Sequence, residues 1–448
     1  MKKLSWFISG VVLQIQPIMA LDLIASYHQA LQYNAGYQQA IATTAAGQEN
    51  QYLARANLLP QISATATFNE NYFNQGGISA YYHQPIYGAQ LNQVLVDFSK
   101  FSAYTKGKFA AQLADLQLNN SQQQLMINIA QAYFNVLYAQ DTLLATKMTK
   151  QALQQQLIQA QASFKAGTAT IADVNDAQAG ADSASAQEIQ DTNNLINQNN
   201  IFHNLTGLDP QLIQPLSEDL QLQLPSPQND QQWVQLAESN NLNNKIASKQ
   251  QDMAREDIYI ARAGHYPTVK LNAQYQYQDM GHLDVSNASP EQMQLLTIPG
   301  GMLSSYGSGS IGLQVSIPLS SGGGISAETR QAGANFESAQ QYYLEVKRQT
   351  EQNVRNAYWQ VQNGVSIVKA QRAALLSAKT KLDSDKLGYQ VGVRNSVDLV
   401  SSQKNYYQSF QAYQLARYQY LLAKLQLDYL AGRLNDQSLQ IINAQIKH

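Results

Sequence analysis

The feature that most constrains this chain is that it states its pattern twice. Ala132-Tyr133-Phe134-Asn135-Val136 returns as Ala357-Tyr358-Trp359-Gln360-Val361, and Phe164-x-x-Gly167 followed by Asp173 returns as Tyr389-x-x-Gly392 followed by Asp398. Both returns are offset by 225 residues. A second register links Arg55 and Pro60 to Arg262 and Pro267 at an offset of 207, so 18 residues of slippage fall between Pro267 and Tyr358, mostly around Gly281 to Gly309. A long repeat whose extra residues gather in one stretch means a single structural unit built twice.

Residues 1–20 carry Lys2 and Lys3, an apolar run from Leu4 to Ile15, and Pro17-Ile-Met-Ala20 before Leu21-Asp22. That order is expected of a cleaved signal peptide, because the run falls short of the roughly 20 residues a spanning helix needs. No later segment is apolar for long enough to cross a bilayer as a helix, so a membrane-embedded part must be made of strands. The chain has no cysteine, which removes disulfides and thiolate chemistry. A net charge of −2 gives no reason to expect nucleic acid as a partner.

Heptad spacing marks the long helices. Ile129, Val136, Leu143, Lys150, Leu157 and Phe164 fall at seven-residue steps, and their counterparts are Val354, Val361, Val368, Leu375, Leu382 and Tyr389. The returning segments repeat the spacing with Val174, Ala181, Glu188, Leu195 and Phe202, matched by Leu399, Tyr406, Tyr413, Tyr420 and Leu427. A sustained heptad is the sign of supercoiled helix pairs, so each half predicts a long antiparallel helical hairpin. A continuous helix from Phe98 to Phe164 would be about 100 Å long at the usual rise per residue. Such a helix must bridge distance or line something. The reversals at Lys165 to Thr170 and Gln390 to Asn395 each carry a glycine able to end a helix in the left-handed conformation.

Period-two alternation marks the strands. Val269, Leu271, Ala273, Tyr275 and Tyr277 alternate with Lys270, Asn272, Gln274, Gln276 and Gln278, and Ile311, Leu313, Val315 and Ile317 alternate with Gly312, Gln314 and Ser316. Ile62, Ala64, Ala66 and Phe68 open the equivalent strand of the first half, whose partner ends in the stretch Gln90 to Val96. Polar-in, apolar-out strands of this kind suit an outer-membrane barrel as well as the edge of a soluble sandwich, and the signal peptide favours the barrel. Spanning barrels start at about eight strands, so four strands per chain must be pooled with other copies. Two copies give eight strands and a filled interior, and three give twelve strands and room for water.

The division expected from these signals is a signal peptide at 1–20, a first unit at 21–208 with a β-hairpin at 61–97 and a helical hairpin at 98–206, and a linker at 209–231. A second unit follows at 232–427 with a β-hairpin at 268–319 and a helical hairpin at 325–427, and then a C-terminal segment at 428–448.

Catalytic signatures are weak. Gly307-Ser-Gly-Ser-Ile-Gly312 spells a dinucleotide fingerprint but leads into a strand, and is expected to be a flexible barrel loop. Gly322-Gly-Gly324 lacks the Lys and Ser or Thr of a phosphate loop and fits a strand-to-helix joint. The six histidines are scattered, no His-Glu-x-x-His occurs, and His265 beside Tyr266-Pro267 reads as a turn residue. No enzyme activity, cofactor or metal is expected.

Leu-Leu-Pro-Gln at 58 to 61, Ala-Tyr-Phe-Asn-Val-Leu at 132 to 137, Gly-His-Tyr-Pro-Thr at 264 to 268 and Gly-Tyr-Gln-Val-Gly-Val-Arg-Asn-Ser-Val-Asp at 388 to 398 resemble the TolC family of outer-membrane efflux and secretion channels. The resemblance covers essentially the whole chain after residue 20. It implies a homotrimer: a mixed α/β membrane protein whose twelve-strand β-barrel continues into a twelve-helix α-barrel across the periplasm, with a mixed equatorial belt holding the Asp209 to Pro227 join and the stretch after Asp428. It also implies multidrug efflux or type I protein secretion in partnership with a periplasmic adaptor (membrane fusion) protein and an inner-membrane RND or ABC transporter.

The family's acidic ring, which narrows the tube at its periplasmic end, aligns with Asp398. Its second ring falls on Ser401, so one ring of three carboxylates is implied rather than two. The family's gate latch aligns with Asp173, Tyr389 and Arg394, and the hairpin tips gripped by the adaptor align with Gly167 and Gly392. The residues themselves allow a plainer role. Thr170 precedes Asp173 by three and Asn395 precedes Asp398 by three, the spacing of a helix cap with an acid in the first turn. A non-conducting coiled-coil protein that spans the periplasm and binds partners is the alternative from another class; its mark would be an apolar plug where Gln274, Gln276, Gln278 and Gln314 predict a wet lumen.

Overall fold

The computed structural model describes residues 21–75, 78–279, 289–290 and 305–446, with side chains left aside at 73–75 and 78–80. The expected signal peptide at 1–20 and most of the slippage stretch lie outside the described residues.

The elements follow in the order α1 (Leu23–Tyr33), α2 (Ala35–Ala56), β1 (Gln61–Gln75), β2 (Ile78–Val96), α3 (Phe98–Lys165) and α4 (Ile171–Thr206). After a 3-10 turn at Pro210–Leu212 come α5 (Asp230–Asn240), α6 (Leu242–Ala263), β3 (Thr268–Gln278), β4 (Tyr306–Ser316), α7 (Gly324–Gln390), α8 (Ser396–Leu430) and α9 (Asp436–Asn443). The chain divides into two compact units. One comprises Met1–Ile41, Leu118–Asn244 and Lys347–His448, and the other Ala42–Gln117 and Lys245–Val346.

Unit two contains the sheet, antiparallel in the order β1-β2-β3-β4. Its register puts Ile62 opposite Leu91, Leu91 opposite Ala273 and Ala273 opposite Ile311 on one face. The other face carries Gln61, Asn92 and Asn272, with Lys270 opposite Gln314. Because side chains alternate along a strand, this register puts apolar residues on one face and polar residues on the other, and Val94, opposite Lys270 at the irregularity in β2, is the exception in these rows. The apolar face is exposed on the outer strands, with Ile62 at 75%, Ile311 at 76% and Leu313 at 66%, and half-buried at Leu91 and Ala273 between them. On the polar face Asn272 donates to Gln314 at 2.9 Å, and Lys100, Lys270, Gln61 and Gln274 line one wide polar recess.

The segment Gly307 to Gly312 corrects the loop expectation, for it lies inside strand β4. Its glycines make room for one ring: a Cβ at Gly307 would stand 2.8 Å from the Tyr275 hydroxyl, and one at Gly309 would stand 3.4 Å from the ring edge. Glycine in a strand interior commonly marks such a close approach. Gly322 and Gly323, with φ of 60° and 87°, form the turn that opens α7.

Unit one holds the main core. Ile129, Tyr133, Phe134, Val136, Phe202, Val354, Val361, Tyr420, Leu421 and Leu425 are buried together with Leu23, Tyr27, Leu439 and Ile442. The positions given by the heptad in α3, α4, α7 and α8 supply much of this core. The join between the halves is tied down by tyrosines rather than by regular structure. Tyr133 donates to the Gln214 carbonyl at 2.8 Å, and Tyr420 donates to the Gln223 carbonyl at 2.9 Å while accepting from the Gln223 N–H at the same distance. Single bridges pair Leu21 with Ile213 and Leu216 with Ile446, so N-terminal, joining and C-terminal segments meet.

No helix among the described residues is long and apolar enough to cross a membrane.

Candidate functional site

The candidate site is the tip region of the two helical hairpins in unit one. Both tips are built alike, because each helix ends on a glycine in the left-handed conformation that non-glycine residues adopt at a cost. Gly167 has φ 74° and Gly392 has φ 79°. At the first tip the Thr168 N–H returns to the Ser163 carbonyl at 2.9 Å; at the second the Val393 N–H returns to the Gly388 carbonyl at 2.8 Å. Neither glycine has any heavy atom within 4 Å of where a Cβ would stand, so both tips are open.

Each returning helix then starts on a cap. Thr170 accepts from the Asp173 N–H at 3.3 Å, and Asp173 accepts from the Thr170 N–H and hydroxyl, both at 2.8 Å. That is a complete reciprocal capping box. The Thr170 backbone N–H first, and its hydroxyl second, hold the Asp173 carboxyl below the usual carboxylate range. At the other tip Asn395 accepts from the Asp398 N–H at 2.8 Å. An acid in a first helical turn also faces the positive end of the helix dipole. The capping reading of both aspartates is therefore realised within the chain.

Arg394 does not reach Asp173 within the chain. Its Nε lies 3.5 Å from Asp385 and its Nη1 lies 3.8 Å from Asp398. Tyr389 sits half-buried in the last turn of α7, where its carbonyl takes the Gly392 N–H at 3.1 Å. The sequence-derived set thus separates into two groups: Arg394 beside Asp398 at one tip, and Asp173 on its own cap at the other.

Sequence reasoning missed Asp385, Lys381 and Ser402. The Asp385 side chain is only 5% exposed, and Lys381 one turn earlier donates to it at 2.6 Å. Ser402, on α8, bonds the same carboxylate oxygen. Lys381 first, and Ser402 second, hold the Asp385 carboxyl below its ordinary range, so the buried group stays ionised. Its signal was present in the heptad: Asp385 lies three residues after Leu382, and Ser402 three after Leu399, which is the second seam position of each helix.

The arrangement offers fixed charge and hydrogen bonding. No cluster of His, Cys, Asp or Glu among the described residues has the geometry to hold a metal.

Residues 26–208 and 233–433 match the family model described as "Outer membrane efflux protein". The chain is 32% identical over 427 residues to "Outer membrane protein TolC" of Escherichia coli (strain K12), covering 95% of this chain and 85% of the relative. It is 28% identical over 456 residues to "Alkaline protease secretion protein AprF" of Pseudomonas aeruginosa, covering 98% and 91%. Among solved structures, the outer membrane protein VceC from Vibrio cholerae superposes with a TM-score of 0.74 at 18% identity, covering 92% of this chain and 96% of that one. The matched segments run through both halves and both hairpin tips, and the chain belongs to the outer membrane efflux protein family.

Proposed function

We propose that three copies of this chain pool their sheets into a twelve-strand barrel and their helical hairpins into a twelve-helix tube, which together form an exit duct. By family and relatives the chain is an outer-membrane channel of the efflux and secretion class, and that family is one of transport proteins rather than enzymes. The observation that carries the trimeric reading is the two-faced sheet. Four strands expose an apolar face around Ile62, Ile311 and Leu313 and a polar face around Lys270, Asn272 and Gln314. Four strands leave β1 and β4 as edges, which lipid cannot satisfy and neighbouring copies can.

In this assembly Asp398 stands at the periplasmic constriction as a single ring of three carboxylates, with Ser401 in place of a second. Asp173, Tyr389 and Arg394 serve as the gate latch of the closed duct. Gly167 and Gly392 mark the tips offered to a periplasmic adaptor, and the driving energy comes from an inner-membrane RND or ABC transporter behind it. Opening is the untwisting of the hairpins, biased by partner contacts at those tips. The cargo is small toxic compounds, secreted proteins or both, according to the pump engaged.

Single-channel recording of the purified protein in a planar bilayer, beside Asp398→Ala, tests this reading. Small cation-selective steps that grow or lose selectivity in the variant are expected. A folded trimer that conducts in neither form would return Asp398 to a capping role and the protein to a structural one.

A further inference from the structure

At the second tip two cations share two carboxylates, and the sharing has a built geometry. Asp385 turns one oxygen to Lys381 and Ser402 and the other to the Arg394 Nε. Ser402 also bonds the Asp398 carbonyl at 2.8 Å, so the Asp385 anchor reaches the first turn of α8 as well. Arg394 is seated by shape too. Its stem lies across Gly388, where a Cβ would stand 2.7 Å from the Arg394 Cγ, and the Arg394 backbone N–H donates to the Gly388 carbonyl at 3.1 Å. The first tip does not repeat this set, since the positions 225 residues earlier are Gln156, Ala160, Ala169 and Ala177.

We propose that Asp385 is the positioning residue for Arg394, dividing its guanidinium between itself and Asp398 so that the ring carboxylates keep part of their charge. This rests on Asp398 lining the constriction. In the native chain Lys381 and Arg394 balance Asp385 and Asp398. Removing the Asp385 charge releases Arg394 onto Asp398, its remaining carboxylate partner in the chain, and the throat loses negative potential.

The test is the reversal potential under a salt gradient for the wild-type trimer and for D385N, D385E, R394Q, D385N/R394Q and D398N. D385N should lower the cation-to-anion permeability ratio about two- to fivefold, the range that a partly exposed ion pair can supply. D385E should recover most of it, R394Q should raise it above wild type, and D385N should add little in the R394Q background. An unchanged ratio in D385N while D398N lowers it overturns the proposal and leaves the throat assignment standing. An equal D385N effect with and without Arg394 also overturns it, because Asp385 would then act through its own charge or through the fold. An unchanged ratio in D398N instead removes Asp398 from the throat. In that case coupling between D385N and R394Q in the trimer's melting temperature still reads the contact, and strict additivity denies it.

Discussion

Thr146 donates its hydroxyl to the Asp191 carboxylate at 2.6 Å across the first helical hairpin, and both residues are buried. Each lies three residues after a heptad position, Leu143 in α3 and Glu188 in α4, so the pair occupies the second seam of the hairpin. The second hairpin makes the equivalent exchange between Ser402 and Asp385, but much nearer its tip. A buried polar pair in a helical seam satisfies itself only when the two helices are in one axial alignment.

Thr146→Val removes the hydroxyl and keeps the shape, leaving the buried Asp191 with Gln187, which donates to its other oxygen at 3.0 Å. The loss expected is about 1–3 kcal/mol, the cost of a buried acceptor left short of a donor. Thr146→Ser should behave as wild type. Denaturant unfolding of the detergent-solubilised protein measures both; equal midpoints for Val and wild type would mean the pair contributes nothing to stability.

A second prediction concerns pH. Asp141 in α3 accepts from the Tyr418 hydroxyl of α8 at 2.6 Å. Burial raises the Asp141 carboxyl above its ordinary range despite that bond and the nearby Arg417, and it raises the Tyr418 hydroxyl as well. A carboxyl raised on folding favours the native state fully below its unfolded pKa, about 3.9, and loses that contribution as pH rises through the folded value. Asp141→Asn should therefore match wild type at low pH and melt higher at neutral pH, the gap opening as Asp141 ionises. Melting curves at a series of pH values check this, and parallel profiles for the two proteins would exclude it.

The helices and strands were legible because each rests on a period. The heptad gave the hairpins, and the alternation from Val269 to Gln278 gave the apolar and polar faces of β3. Two heptad anomalies, Lys150 and Glu188, turn out to answer each other: they meet at 2.9 Å where the other hairpin has Leu375 and Tyr413, and Lys150 holds the Glu188 carboxyl below its ordinary range. Periodicity marks a polar residue in a seam but does not say which residue faces it. That is why Asp385 does not stand out in the sequence, whereas the shorter-range caps at Thr170 and Asn395 are legible from spacing alone. Gly307 to Gly312 reads as a loop for a related reason. Glycine signals a loop locally, and only the cross-strand register reveals the Tyr275 ring that fills the space.

The last prediction separates two glycines with the same backbone conformation. Gly392 has φ 79° and open space around it, whereas Gly432, at φ 67°, closes α8 with its Cβ position 2.4 Å from the backbone carbon and oxygen of Asn240 at the end of α5. Gly392→Ala should cost only the left-handed penalty of about 1–2 kcal/mol, because nothing has to move. Gly432→Ala adds a collision with backbone that no rotamer relieves, and it disturbs the return bonds from Arg433 and Leu434 to the Asp428 carbonyl. It should be clearly the more destabilising of the two, with a lower yield of folded protein. Thermal melting and size-exclusion profiles of the pair decide the matter: equal losses would show that α5 yields at Asn240, and a larger loss at Gly392 would show that the tip is more tightly packed in the assembled protein than in the single chain.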